Sequence, residues 1–170
     1  FANNMAAVLR RAQVDEKLAE IGAASGRFVP RELLEHLGRG SIVDVRLGDQ
    51  VQKEMSVLFS DIRSFTSLSE TMTPKENFNF LNSYLSRVSP LIRKHNGFID
   101  KYLGDGIMAL FPGGAEDAIR SAIEIVRYLP VYNTHREKSG YKSIRIGNGI
   151  HSGSLMLGTI GEEARMEGTV

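Results

Sequence analysis

Residues 98–111 read FIDKYLGDGIMALF, two short apolar runs on either side of Gly104, Asp105 and Gly106. Strand-length runs rich in Phe, Ile, Tyr and Leu, joined by Asp-Gly, signal a tight β-hairpin with residues 98–103 paired to residues 107–111. Upstream, residues 54–61 read EMSVLFSD, another apolar run of strand length, and its last residue is Asp61. A buried strand that ends in a carboxylate places that side chain at the rim of a sheet, within reach of a ligand.

The elements around these strands decide the fold. Thr73 at the N-cap, Pro74 at the first helical position and Glu76 at the third form a capping box. Phe78, Leu81, Leu85, Val88 and Ile92 then recur at steps of 3, 4, 3 and 4, which predicts one buried face along about four turns. Pro90 bends this helix, and Asn96 with Gly97 ends it. After the hairpin, a second amphipathic helix starts at Ala115 with Ala118, Ile119, Ala122, Ile123 and Val126 as its inner face, and continues with a kink past Pro130 toward Gly140. Residues 144–151 and 154–160 are expected to pair as strands around Ser152 and Gly153.

The order is strand, helix, strand, strand, helix, strand, strand. Helices that return strands to one mostly antiparallel sheet make an α+β, two-layer domain of ferredoxin-like (polymerase-palm-like) type, with its helices on one face. Residues 4–23 read as a preceding helix, where Met5, Leu9 and Ala12 hold an apolar stripe that Leu18 and Ile21 resume slightly out of phase. That interrupted stripe suits a two-stranded connector. A short helix follows Pro30, with Leu33, Leu34 and Leu37 on its apolar face and Gly38 as its stop. The expected organisation is a connector or signalling helix over 1–25, a short helix and linker over 26–50, and a compact domain over 51–170.

Composition narrows the function. Lys and Arg total 21 against 20 Asp and Glu in 170 residues, so no basic excess points to nucleic acid as a partner. No apolar run approaches the roughly 18 residues of a membrane span, and no signal-peptide pattern is expected in the opening residues. The chain has no cysteine, which excludes disulfides and thiolate metal sites and fits a cytoplasmic location. Its four histidines are scattered without ligand spacing. The chain begins at Phe1 and stops at Val170 directly after a strand-like segment, and both ends read as cuts in a longer protein.

Asp61 and Asp105 each stand at a strand end or in the turn just after one. If their strands are neighbours, both carboxylates enter one pocket, where a divalent cation offsets their repulsion. Mg²⁺ favours one or two carboxylates together with waters and substrate phosphates, and such a pair can hold two metals for in-line displacement at phosphorus. A sharp turn and a short helix after Asp61 would aim the N–H groups of Ser64, Phe65 and Thr66 at an anion.

Three segments in order, FSDIRSFTSLSE at 59–70, KYLGDGIMALF at 101–111 and GNGIHSGSLMLGTIG at 147–161, resemble the catalytic domain of class III adenylyl and guanylyl cyclases. The resemblance covers residues 54–170, and residues 26–50 resemble the segment that precedes this domain in bacterial members. It implies that Asp61 and Asp105 are catalytic and bind two divalent cations, Mg²⁺ or Mn²⁺, with the backbone carbonyl of Ile62 as a further ligand. Ser64, Phe65 and Thr66 match the segment whose amides hold the triphosphate. Lys101 and Thr169 match the two purine-reading positions.

Lys101 offers only donors and meets adenine N1, while the Thr169 hydroxyl accepts from the exocyclic amine. Guanine reverses that pattern, and guanylyl members usually carry an acidic residue at the lysine position, so ATP is the expected substrate and cyclic AMP the product. The resemblance further implies a head-to-tail homodimer with metals on one copy and purine contacts on the other, and an upstream sensor domain in the same chain. An Asn and an Arg that the family carries past the Thr169 position would fall after Val170, so residues 1–170 alone are expected to be nearly inactive. Gly147 stands where some members have a phosphate-binding arginine, a role Arg145 could take over. The competing readings are a catalytically silent cyclase-like nucleotide-binding or dimerisation module, a guanylyl cyclase, and a dinucleotide cyclase. The last uses a glycine-glycine-acidic turn that Leu103, Gly104, Asp105 and Gly106 do not match.

Overall fold

A computed structural model describes residues 2–170, with side chains from residue 10 onward. Two compact units make up the chain, Gln52–Met156 and a second formed by Phe1–Val51 with Leu157–Thr169. The first unit contains most of β1 (Gln50–Ile62), α3 (Phe65–Ser69), α4 (Pro74–Lys94), β2 (Phe98–Leu103), β3 (Gly106–Phe111), α5 (Ala115–Lys138) and the first part of β4 (Ile146–Glu162). Its strands hydrogen bond in the order β2-β3-β1-β4. Thus α4 leads from β1 to β2 past the place of β3, and α5 leads from β3 to β4 past the place of β1. The β1–β3 and β2–β3 ladders are both antiparallel. This is the expected two-layer ferredoxin-like arrangement.

Alternation along the strands sorts residues between two sheet faces. Leu58 and Ile62 of β1 and Ile107, Ala109 and Phe111 of β3 point into the helix-side core, where Phe80, Tyr84, Val88 and Ile92 of α4 and Ala118, Ala122 and Ile125 of α5 meet them. The capping box forms as read: the Thr73 hydroxyl accepts from the Glu76 N–H, and the Thr73 N–H donates to Glu76 Oε2 at 2.8 Å. At the far end of α4, Asn96 takes a left-handed φ of 60° and Gly97 lies under the Phe111 ring. A Cβ on Gly97 would fall 2.4 Å from that ring, so only glycine lets Phe111 reach the core.

Three expectations shift. Phe78 is 70% exposed, and the buried stripe of α4 runs instead through Phe80, Tyr84, Val88 and Ile92, with Leu81 and Leu85 at its margin. On α5, Ile119, Ile123 and Val126 face outward; the buried side is Ala118, Ser121, Ala122, Ile125 and Tyr132. Both helices carry apolar residues on more than one side, and the stripe facing the sheet is the one whose phase matches the packing surface. Finally, residues 144–151 and 154–160 do not form a hairpin. Ser152 and Gly153 lie inside the single long strand β4, which continues into the second unit and pairs there with β5 (Arg165–Thr169).

In that second unit, α1 (Ala2–Ser25) bears Leu18 and Ile21 exposed, while the side chains of Met5 and Leu9 lie outside the described residues. The short helix α2 (Arg31–His36) buries Leu33, and Gly38 follows it with φ 68°. Leu33 packs where a Cβ on Gly168 of β5 would stand, 2.3 Å from Leu33 Cδ2. Arg39 grips Asp49 with two charge-assisted hydrogen bonds, Nε to Oδ2 at 2.9 Å and Nη2 to Oδ1 at 2.5 Å. Among the described residues no helix is long and apolar enough to cross a membrane.

Candidate active site

The last residues of β1 and the β2–β3 turn converge. Ser60 pairs with Ile107 in the β1–β3 ladder, so Asp61 emerges beside Gly106. The turn is one residue earlier than Asp-Gly alone implies: Leu103 pairs with Gly106, leaving Gly104 (φ 67°) and Asp105 as the two loop residues. The Ile62 N–H donates to Asp61 Oδ1 at 3.0 Å and to Asp105 Oδ2 at 3.3 Å, so one backbone donor links the two carboxylates. The Ile62 side chain points the other way, fully into the helix-side core. Burial pushes the Asp105 carboxyl up to about 6, helped by a hydrogen bond with Asp61 that only a protonated form can make and by the Asp61 charge.

Asp61 and Asp105 therefore stand close against their own repulsion. Among the described residues no group of three or more His, Asp or Glu side chains gathers, so the protein offers two carboxylates and backbone oxygens. That donor set fits a hard divalent cation that completes its coordination with water and phosphate oxygens.

The chain leaves β1 through Ser64, whose φ of 57° and ψ of 34° put a non-glycine residue in the left-handed region. This residue reverses the chain into α3. The N–H groups of Ser64, Phe65 and Thr66 fall at the helix start, where no intrahelical acceptor exists for them. The Phe65 ring stacks on Phe80 at 6.3 Å and anchors the turn to α4.

Lys101 reaches its place through an irregularity. The β2–β3 register shifts between Ile99 and Lys101, so Asp100 is an extra residue in β2. Ile99 pairs with Ala109 and faces the helices, and regular alternation would send Lys101 to that same face. The bulge turns it over: Lys101 pairs with Met108, which pairs in turn with Phe59 on the open face that also bears Asp61. Next to it, Tyr102 bonds Ser89 of α4 at 3.1 Å, fixing the alternation. Lys101 also lies 3.5 Å from the buried Asp100 carboxylate. The second purine-reading candidate, Thr169, is the last residue of β5, opposite Gly158.

Residues 47–167 match the model of the adenylate and guanylate cyclase catalytic domain. The chain belongs to this family. An adenylate cyclase of Anabaena cylindrica is 41% identical over 149 residues, 85% of this chain and 30% of that protein. Among solved structures, the adenylyl cyclase CyaB from P. aeruginosa aligns with a TM-score of 0.65 and 32% identity over 71% of this chain and 66% of that one. The guanylyl cyclase Cya2 aligns with a TM-score of 0.62 and 34% identity over 73% and 65%. The chain thus spans under a third of the Anabaena relative's length.

One arginine escaped the sequence reading. Arg63, two residues past Asp61, lays its guanidinium over Gly147 of β4, with Nε 3.1 Å and Nη2 3.2 Å from where a Cβ on Gly147 would be. The only signal in the sequence is a pair of separate facts, a bare glycine at 147 and an arginine at 63, which nothing but the fold brings together.

Proposed function

We propose that this cyclase domain is adenylyl: it turns ATP into cyclic AMP and pyrophosphate by attack of the 3′-oxygen on the α-phosphorus. The carrying observation is the meeting of Asp61 and Asp105 at one Ile62 N–H, on the sheet face that also presents Lys101. Two divalent cations, Mg²⁺ or Mn²⁺, held by Asp61, Asp105 and the Ile62 carbonyl, would supply charge neutralisation at phosphate oxygens. The protein's own work is positioning and electrostatics. The Ser64, Phe65 and Thr66 amides bind phosphate oxygens at the turn out of β1. Lys101 donates to adenine N1, and the Thr169 hydroxyl accepts from the exocyclic amine. Guanine, with N1–H a donor, would leave two donors facing each other at Lys101.

The active form in this reading is a head-to-tail homodimer, with the carboxylates of one copy facing Lys101 and Thr169 of the other. Exposed Phe59 and Leu103 lie on the open sheet face beside the carboxylates, and a second copy would take them out of water. Helix α1 is the connector to an upstream sensor domain. A silent nucleotide-binding module is the weaker reading, because a relic that only binds has little need for paired metal carboxylates beside purine-reading residues.

The test is nucleotide turnover by the full-length protein with Mg-ATP and with Mg-GTP, comparing wild type with Asp105→Ala. Cyclic AMP formation that collapses in the variant supports the reading. Faster use of GTP overturns the purine assignment, and equal turnover by the variant overturns the carboxylate site.

A further inference from the structure

The open sheet face next to the carboxylates carries two arginines in register. The Arg63 N–H donates to the Arg145 carbonyl at 2.8 Å, which sets these residues opposite each other just past the end of β1 and just before the start of β4. Counting back along the antiparallel strands sets Asp61 opposite Gly147 and Ser56 opposite Ser152, and the two serine hydroxyls bond at 2.6 Å as that register requires. Alternation puts Arg63 and Asp61 on one face, since Ile62 between them is buried among the helices. Ile144 and Ile146 belong to the helix-side core, so Arg145 and Gly147 share the open face.

Like charges directly opposite on neighbouring strands destabilise a sheet. Here neither guanidinium takes part in an ion pair among the described residues, and both side chains are exposed. Arg63 does not splay away from Arg145 into water. Its guanidinium lies over Gly147 of β4, where there is no side chain to displace it, directly across from Asp61. A cation pair held beside a carboxylate pair is a complete arrangement for one kind of ligand: a polyphosphate whose metal-bound oxygens face the carboxylates and whose remaining charge faces the guanidiniums. The planar fork of arginine suits phosphate better than a point charge does.

We propose that Arg63, lying over Gly147 with Arg145 opposite, binds the phosphate chain of the nucleotide substrate and of the pyrophosphate product. Arg63 is the primary contact and Gly147 is the residue that makes room for it, so the role first considered for Arg145 alone passes to the pair. This rests on the cyclase reading of the site.

The experiment measures, in the full-length protein, competitive inhibition by pyrophosphate, the KM for Mg-ATP and the Mn²⁺ concentration giving half-maximal activity. Wild type is compared with Arg63→Gln, Arg63→Lys and Gly147→Ala. Because Arg63 is exposed, its variants fold normally, which thermal unfolding verifies. Arg63→Gln should weaken pyrophosphate inhibition and raise KM by about 10-fold or more, the loss of a charge-assisted pair, with the Mn²⁺ midpoint unmoved. Arg63→Lys should fall between, and Gly147→Ala should act in the same direction by crowding the guanidinium. Pyrophosphate inhibition within about twofold of wild type in Arg63→Gln, in an enzyme that Asp105→Ala silences, overturns this proposal alone. Wild-type protein that turns over neither nucleotide overturns the cyclase reading and the proposal together.

Discussion

The carboxylate corner and the helix layer of the same unit are built on opposite terms. At the corner, Asp61 and Asp105 share one backbone donor, Asp105 is pushed up to about 6, and Ser64 sits in a conformation that suits glycine. Across the sheet, α4 starts with a satisfied capping box and buries Val88 and Ile92 against β3, with Gly97 making room for Phe111. One region stores unfavourable interactions, and the other supplies the stability that holds them. The difference separates the residues proposed to serve chemistry from those that serve the fold, and substitutions in the two regions should move activity and stability in different directions.

The largest separation is expected between Asp61→Ala and Ile92→Ala. Asp61→Ala should lower turnover by about 10³-fold or more, since a metal site contributes several kcal/mol to the transition state, while leaving the unfolding midpoint in denaturant unchanged or higher. Ile92→Ala should cost about 3 kcal/mol of stability in urea unfolding, as a fully buried aliphatic side chain is lost from a packed core. A destabilised Asp61→Ala would break the distinction. Next comes Gly97→Ala, which forces a methyl into the Phe111 ring and should destabilise by about 2 kcal/mol, measured the same way. The smallest expected effect is Ser64→Gly, which relieves the left-handed residue and should raise stability by about 1 kcal/mol; a fall would mean that the Ser64 side chain supports the turn.

The sequence made some of this legible and hid the rest for physical reasons. The 98–111 hairpin, the Thr73 capping box and the two strand-end aspartates are local patterns, and each formed with at most a one-residue shift. The inner faces of α4 and α5 were only partly readable, because each helix has more apolar positions than its contact covers. Phe78 fits the periodicity and still ends in water. Lys101 faces the site only because Asp100 is an extra residue in β2, and a bulge leaves no mark in the alternation of side chains. Arg63 and Gly147 are 84 residues apart in sequence, and their contact exists only once β1 and β4 are side by side.

We propose that Asp61 and Asp105 form a metal site held against its own repulsion. The measurement that addresses it most directly is thermal unfolding of wild type and Asp105→Asn at neutral pH, each with and without Mn²⁺ and a non-cyclisable ATP analogue. Asp105→Asn should melt at a higher temperature than wild type without metal and should gain little when Mn²⁺ and the analogue are added, whereas wild type should rise clearly. An equal rise in both proteins, or a lower melting temperature for Asp105→Asn without metal, would contradict it.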